Sequence, residues 1–199
     1  MAVRIARVSL LLVAAAAGLG RLSVALEGRG RARRALGVAM LLAYACVCVR
    51  LTLVGRRAGA GPQANLRPLW SYRAARMWED HRLRVQDAGL LEQIALNYLL
   101  FVPLGCLLPF TWPERYAGDG AARGVARVAL VAAACSLCVE LAQLVLRVGL
   151  FELDDVLNNA LGAALGYALW RTIRTEDFCP GRPSGASPPP PAEVAPPRF

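Results

Sequence analysis

Five apolar segments, separated by arginine-rich links, dominate the pattern of hydrophobic and polar positions along the chain. They cover residues 8–26, 35–54, 89–110, 125–146 and 153–170. Each is close to the roughly 18 to 20 residues that a helix needs to cross the hydrocarbon core of a bilayer. The pattern therefore predicts an all-α fold, a multi-pass integral membrane bundle of about five transmembrane helices.

The composition supports a membrane protein. The chain has 199 residues, is 56% hydrophobic and has a mean hydropathy of +0.42, above the apolar content of ordinary soluble domains. All 23 basic residues are arginine and the formal net charge is +9. Because the arginines lie mostly between apolar segments, we expect membrane lipids as partners, and no nucleic acid.

The segments divide the chain into four parts. Residues 1–54 hold two predicted N-terminal membrane helices, 55–88 form a polar connecting stretch, 65–170 form the main membrane domain, and 171–199 form a Pro-rich tail predicted to be disordered. The second part of the connecting stretch, Arg73 to Gln86, is interpreted either as an interfacial amphipathic helix or as a solvated loop. Trp70, Tyr72, Met77 and Trp78 are the candidate anchors of such a helix.

Topology depends on the first segment. A cleaved signal peptide is one interpretation of it, but cleavage would place Arg29 to Arg34 outside the cell, against the positive-inside rule. We favour an uncleaved helix. In a five-helix arrangement, the links on the two sides of the membrane carry nearly equal numbers of arginines. The small difference favours an N-terminus outside the cell.

The fourth segment carries a polar stripe. Ser136, Glu140, Gln143 and Arg147 follow one another at spacings of four, three and four residues, which places them on one helical face. A charged residue at mid-membrane costs about 2.5 to 3.5 kcal/mol on insertion scales. We therefore expect this stripe to face other helices or a wet cavity.

The fifth segment begins with a polar run and continues with glycines. Asp155, Asn159, Gly162 and Gly166 fall on one face, and the last two form a GxxxG motif that allows close helix packing. We expect this face to pack against the fourth segment, with Glu140 and Asp155 near Arg147 and Gln143. Alternatively, the polar groups only join helices, and Asp154 and Asp155 only favour the helix start.

Two further features carry weaker signals. Asn97 precedes Pro103 in the third segment, which indicates either a kinked packing helix or an amide pointing into the same polar site. Cys135 and Cys138 form a CxxC without a second pair or a nearby histidine. Small apolar helix residues are the favoured interpretation, and we expect no metal and no cofactor.

Together these pieces resemble the VanZ-like family, named for a protein that gives teicoplanin resistance. The resemblance rests on pieces in the same order and at similar spacing: Asn65-Leu66-Arg67-Pro68, Asn97 with Phe101 to Gly105, Ser136 with Glu140, Gln143 and Arg147, and Glu152 with Asp154-Asp155-Val156, Asn159 and Gly162. Glu152 replaces the usual aspartate, and Leu69 and Trp70 stand where a phenylalanine is usual. The resemblance implies a small helical protein of the bacterial cell membrane, with a link to the cell envelope or to glycopeptide susceptibility.

Three functions are compatible with these residues. The favoured one is binding of a lipid-linked or amphiphilic envelope ligand, with Arg147 at its phosphate or carboxylate. The others are an intramembrane enzyme, whose catalytic residues the sequence does not identify, and a small proton-coupled transporter, for which the GxxxG offers a homo-oligomer contact. The candidate polar site comprises Asn65, Pro68, Asn97, Ser136, Glu140, Gln143, Arg147, Asp154, Asp155 and Asn159, and Gly162 and Gly166 are assigned to helix packing.

Overall fold

The computed structural model describes residues 28–54, 63–71, 85–116 and 120–177, together with 14–15, 18–19, 21–22 and 25–26. The elements follow in chain order as α1 (Gly30–Thr52), β1 (Gln63–Asn65), α2 (Val85–Thr111), α3 (Pro113–Tyr116), α4 (Ala121–Leu146), β2 (Leu150–Glu152) and α5 (Leu153–Asp177). The chain is mostly helical, as predicted.

Three helices in the described part of the chain are long and apolar enough to cross a membrane. They are Gly30–Thr52, Gly89–Thr111 and Ala121–Leu146. α5 is long enough but does not reach this level of hydropathy, because its first two turns carry Asp154, Asp155, Asn158 and Asn159. By length and composition, the described residues therefore supply three of the five predicted spans.

The four long helices of the described residues form a bundle in which α2 and α5 run in parallel. Gly162 of α5 lies at Tyr98 of α2, and Gly166 lies one turn further along at Val102. α1 runs opposite to α2, since Gly37 lies at Thr111 and Tyr44 donates a hydrogen bond to the Leu100 carbonyl. α4 runs opposite to α5, since Gly124 lies at Tyr167 and Ser136 accepts a hydrogen bond from Asn159. We call the end where α2 and α5 begin the acidic end, and the end where α1 and α4 begin the basic end.

Backbone contact between α2 and α5 is closer than side chains would allow. A Cβ at Gly162 would overlap the Tyr98 carbonyl, one at Gly166 the Val102 carbonyl, and one at Gly105 the Ala163 carbonyl. The glycine face therefore packs against α2. The prediction that the whole face packs against the fourth segment, α4, is confirmed at Asn159, which donates to Ser136. It is wrong for the two glycines, because a GxxxG motif specifies a close approach without specifying the partner helix.

Apolar side chains lie on the outside of the bundle as well as in its core. Phe110, Val128, Ala163 and Tyr167 are fully buried, whereas Val145 is 79% exposed on the outer face of α4. Three leucines of α5 are also exposed, at intervals of four residues: Leu157, Leu161 and Leu165. An exposed apolar surface around a partly polar interior suits a lipid environment.

A short parallel strand pair lies at the acidic end and was not predicted. Ala64 of β1 pairs with Phe151 of β2, and Asn65 pairs with Glu152. The pairing holds the segment after β1 against the start of α5, which follows β2 directly.

The basic end gathers arginines from three elements. They are Arg29, Arg31, Arg33 and Arg34 beside the start of α1, Arg115 in α3, and Arg123 and Arg127 in the first two turns of α4. Glu114 is the acidic residue described at this end, and its carboxylate pairs with Arg34.

Several predictions concern residues outside the described part. They include most of the first segment, the amphipathic helix after Ser71 and the Pro-rich tail after Asp177. Within the first segment, Leu19 is buried in the same apolar core as Phe101. At the other end, α5 continues to Asp177, beyond its predicted end at Trp170.

The glycine contact predicts opposite effects for one substitution at two positions. Gly162→Ala should lower the free energy of unfolding by about 1 to 3 kcal/mol, because the methyl group meets the α2 backbone. Gly89→Ala, in α2 and with open space around its Cα, should raise it by roughly 0.5 to 1 kcal/mol through helix propensity. Thermal unfolding of both variants in detergent measures the difference. Equal stability of Gly162→Ala and wild type would contradict the close contact.

Candidate functional site

Buried polar side chains from α4, β2 and α5 converge at the acidic end. Seven of them are at most 6% exposed: Ser136, Glu140, Gln143, Glu152, Asp154, Asn158 and Asn159. Buried polar groups must find hydrogen-bond partners within the protein, because lipid supplies none. Their partners define how the site is built.

Two amide–carboxylate pairs join α2 to the start of α5. The Gln93 side-chain amide donates to Glu152 Oε2 at 2.8 Å, and the Asn97 amide donates to Asp155 Oδ1 at 2.5 Å. Asn97 and Asp155 are half-buried, and Gln93 is exposed. These pairs therefore form a rim whose accessible groups are Asn97, Asp155 and Gln93, whereas Glu152 is itself only 6% exposed.

The polar stripe of α4 supplies the buried layer. Ser136 Oγ accepts a hydrogen bond from the Asn159 amide at 2.7 Å, and Glu140 Oε2 accepts one from the Glu152 backbone N–H at 3.1 Å. Gln143 donates to the Thr52 carbonyl at the end of α1, at 3.1 Å. The stripe thus ties α4 to α5, β2 and α1.

Arg147 does not join this stripe. It is exposed, has a left-handed backbone conformation with φ 56°, and ends α4. Among the described residues it forms no ion pair with Glu140 or Asp155. The prediction that it lies beside these carboxylates is wrong, because the helix ends at Leu146 and the next residue leaves the helical face.

Asp154 holds a loop rather than facing an open site. Its Oδ1 accepts a hydrogen bond from the Leu69 N–H at 2.6 Å, and its Oδ2 accepts one from the Ser71 N–H at 2.7 Å. Leu69 has a φ of 58°, and Pro68 precedes it as an exposed residue of the same turn. Asp154 is therefore a positioning residue for residues 68–71.

Asn65 connects this loop to the acidic pairs. Its Oδ1 accepts a hydrogen bond from the Arg67 N–H at 3.2 Å, and its backbone pairs with Glu152 through the strand register. Burial raises the pKa of the Glu152 carboxyl, and the charge of Asp154 raises it further, while hydrogen bonds from Gln93 and Asn65 oppose the shift.

Sequence reasoning did not include Glu152 or Gln93 among the site residues. Gln93 precedes Asn97 by four residues and so lies on the same face of α2, a spacing that could have identified it. Glu152 opens the acidic run at the start of α5. Its contact with α2 depends on the strand pairing, which had no signal in the pattern.

The buried layer contains an unsatisfied acceptor. Asn159 Oδ1 is buried without a hydrogen-bond partner. Within the described residues, no group of three or more His, Cys, Asp or Glu side chains is arranged to hold a metal ion. The described arginines of this end, Arg50, Arg67 and Arg147, are all exposed.

A family model described as VanZ/LLP1 matches residues 38–174, which is 137 of the 199 residues. The chain belongs to the VanZ/LLP1 family. The match includes most of α1 and every element of the acidic end, from β1 to α5, and it confirms the resemblance carried by the sequence motifs. No curated protein and no solved structure matches this VanZ/LLP1 chain.

The Asp154 contacts predict a local effect on the loop that it holds. Asp154→Asn keeps the size of the side chain but replaces one acceptor with a donor, so one backbone N–H of the loop loses its partner. This should cost about 1 to 3 kcal/mol locally and increase hydrogen exchange at Leu69 and Ser71. Asp155→Asn is the matched control and should leave this exchange unchanged. Equal exchange in wild type and Asp154→Asn would show that the carboxylate does not hold the loop.

Proposed function

We propose that this VanZ/LLP1 chain is a multi-pass protein of the bacterial cell membrane whose acidic end binds the polar part of an amphiphilic envelope ligand. The supporting observation is the rim formed by Gln93 with Glu152 and Asn97 with Asp155. Because Asn97 and Asp155 are half-buried and Gln93 is exposed, a ligand beside α2 and α5 can reach these groups without opening the bundle.

The chemistry of the rim favours a ligand rich in hydrogen-bond donors. Carboxylates accept hydrogen bonds, and amides both donate and accept them. Asn159 Oδ1 adds a further buried acceptor below the rim. Sugar hydroxyls and amino groups are suitable donors, so the proposed ligand class is a lipid-linked sugar or amino sugar. Arg147, the earlier candidate for a phosphate, is exposed and lies apart from this rim.

We further propose that α5 and the first apolar segment also cross the bilayer, which gives five spans. α5 packs along the apolar part of α2, with Gly162 at Tyr98 and Gly166 at Val102. Its exposed leucines provide an outer face suited to lipid. A helix with polar residues can cross a membrane when those residues face protein.

The proposed orientation places the basic end in the cytoplasm. Seven described arginines lie beside the ends of α1, α2 and α4 there, and arginines close to the ends of spans favour the cytoplasmic side. The acidic end would then face the outer surface, where envelope precursors carry their sugars.

Photolabelling of the purified full-length chain tests the binding function. The probe is a polyprenyl-linked sugar with a photoreactive group. Asp155→Asn and Glu152→Gln should each reduce labelling about tenfold, because each removes a charged hydrogen-bond acceptor, worth roughly 1.5 to 3 kcal/mol. Glu114→Gln, at the opposite end, is the control and should label like wild type.

Two other outcomes of this experiment would change the proposal. Equal labelling of wild type and Asp155→Asn would contradict the proposed site. Release of a chemically altered probe from wild type, but not from Asp155→Asn, would instead support the intramembrane-enzyme hypothesis.

A link to glycopeptide susceptibility is part of the proposal and has a separate test. Expression in a susceptible Gram-positive host should raise the inhibitory concentration of teicoplanin more than that of vancomycin. Asp155→Asn and Glu140→Gln should abolish the rise while reaching the same membrane level on a blot. An unchanged inhibitory concentration at normal expression would separate this chain from resistance.

A further inference from the structure

The basic end has a compact corner around α3, at the start of both α1 and α4. Arg34 Nη2 lies 2.5 Å from Glu114 Oε1, and Arg127 Nη1 donates a hydrogen bond to the Arg115 carbonyl at 2.8 Å. Guanidinium groups from α1 and α4 thus contact α3, a four-residue helix that itself carries Arg115. We call Arg33, Arg34, Arg115 and Arg127 the α3 corner.

Positive charge at the α3 corner exceeds the negative charge described there. Glu114 accepts a hydrogen bond from its own backbone N–H and lies near Arg34 and Arg33, and these interactions hold the pKa of its carboxyl below the ordinary value. The corner therefore has four arginines and one described carboxylate, which lies beside Arg34 and Arg33. The described side chains leave this corner with a net positive charge of about three.

Arg33 has an unused donor at this corner. Its Nε is buried and has no hydrogen-bond acceptor. A buried N–H without an acceptor is costly, and a guanidinium presents its Nε and Nη donors together to a planar or tetrahedral oxyanion. The corner is therefore arranged for an anion that supplies oxygen acceptors.

The starts of two long helices add to this preference for an anion. Neither α1 nor α4 has a side-chain cap, and neither carries an acidic residue in its first turn. Helix starts have a partial positive charge and free backbone N–H groups. Here they strengthen a positive field that the arginines already produce.

Depth in the membrane identifies the anion. The three candidate spans α1, α2 and α4 all have an end at this corner, so its arginines lie at the level of the lipid headgroups. We propose that the α3 corner binds the phosphate of an anionic phospholipid, with Arg33 donating to the phosphate oxygens. This site is separate from the acidic end and does not depend on the function proposed for that end.

Native mass spectrometry of the full-length chain in a neutral detergent tests the proposal. The protein is offered equal amounts of phosphatidylglycerol and phosphatidylcholine, and the retained lipids are counted. Wild type should retain the anionic lipid preferentially, and Arg33→Gln should reduce that preference about fivefold, the effect expected of one arginine near a headgroup. Arg147→Gln, an exposed arginine of the acidic end, is the matched control and should keep the preference.

A second variant tests the same site in the opposite direction. Glu114→Gln removes the carboxylate that competes for Arg34, so it should increase retention of phosphatidylglycerol. Because Glu114 is exposed, this variant remains informative if Arg33→Gln does not fold.

Four results would overturn the proposal. The first is equal retention of both lipids by wild type. The second is a loss of the preference in Arg147→Gln as complete as in Arg33→Gln, because that result would indicate an effect of net charge alone. The third is unchanged or reduced retention of phosphatidylglycerol by Glu114→Gln. The fourth is complete displacement of the lipid by inorganic phosphate, because that result would indicate a site for a free anion.

Discussion

The close backbone contact between α2 and α5 is the constraint on which the rest of the structure depends. Gly162 and Gly166 bring α5 against the carbonyls of Tyr98 and Val102, and this contact fixes the register of two parallel helices. One register places Asp155 beside Asn97 and Glu152 beside Gln93. A side chain at either glycine would separate the helices, and the polar pairs would then lose their hydrogen bonds.

The polar residues at the acidic end have different tasks because their partners differ. Both oxygens of Asp154 accept backbone N–H groups, so this carboxylate positions residues 68–71. Glu140, Ser136 and Gln143 connect α4 to the neighbouring elements from buried positions. Glu152 and Asp155 meet side-chain amides of α2, which can rotate toward a ligand more easily than backbone groups. The two carboxylates at the α2–α5 boundary are therefore the centre of the proposed site.

The sequence predicted the helices and much of the polar face, because helical spacing determines both. Ser136, Glu140 and Gln143 lie on one buried face of α4, and Asn159 of α5 meets that face. The strand pair was not predictable, since three-residue strands carry too little periodicity. The turn at Arg147 was not predictable either, because a positive φ is unusual for a non-glycine residue. The contacts of Asp154 were equally unpredictable, because they reach a loop more than 80 residues earlier. These features depend on tertiary contacts that no local pattern records.

The most direct test of the central claim is an exchange of the partners at the α2–α5 boundary. Asn97→Asp places a carboxylate beside Asp155, and Asp155→Asn leaves two amides, so each single change should weaken binding of a polyprenyl-linked sugar. The double variant Asn97→Asp/Asp155→Asn restores one amide and one carboxylate in reversed positions. Photolabelling of the four proteins should show that the double variant recovers much of the binding lost in the single variants. A double variant that labels no better than the weaker single variant would contradict the account.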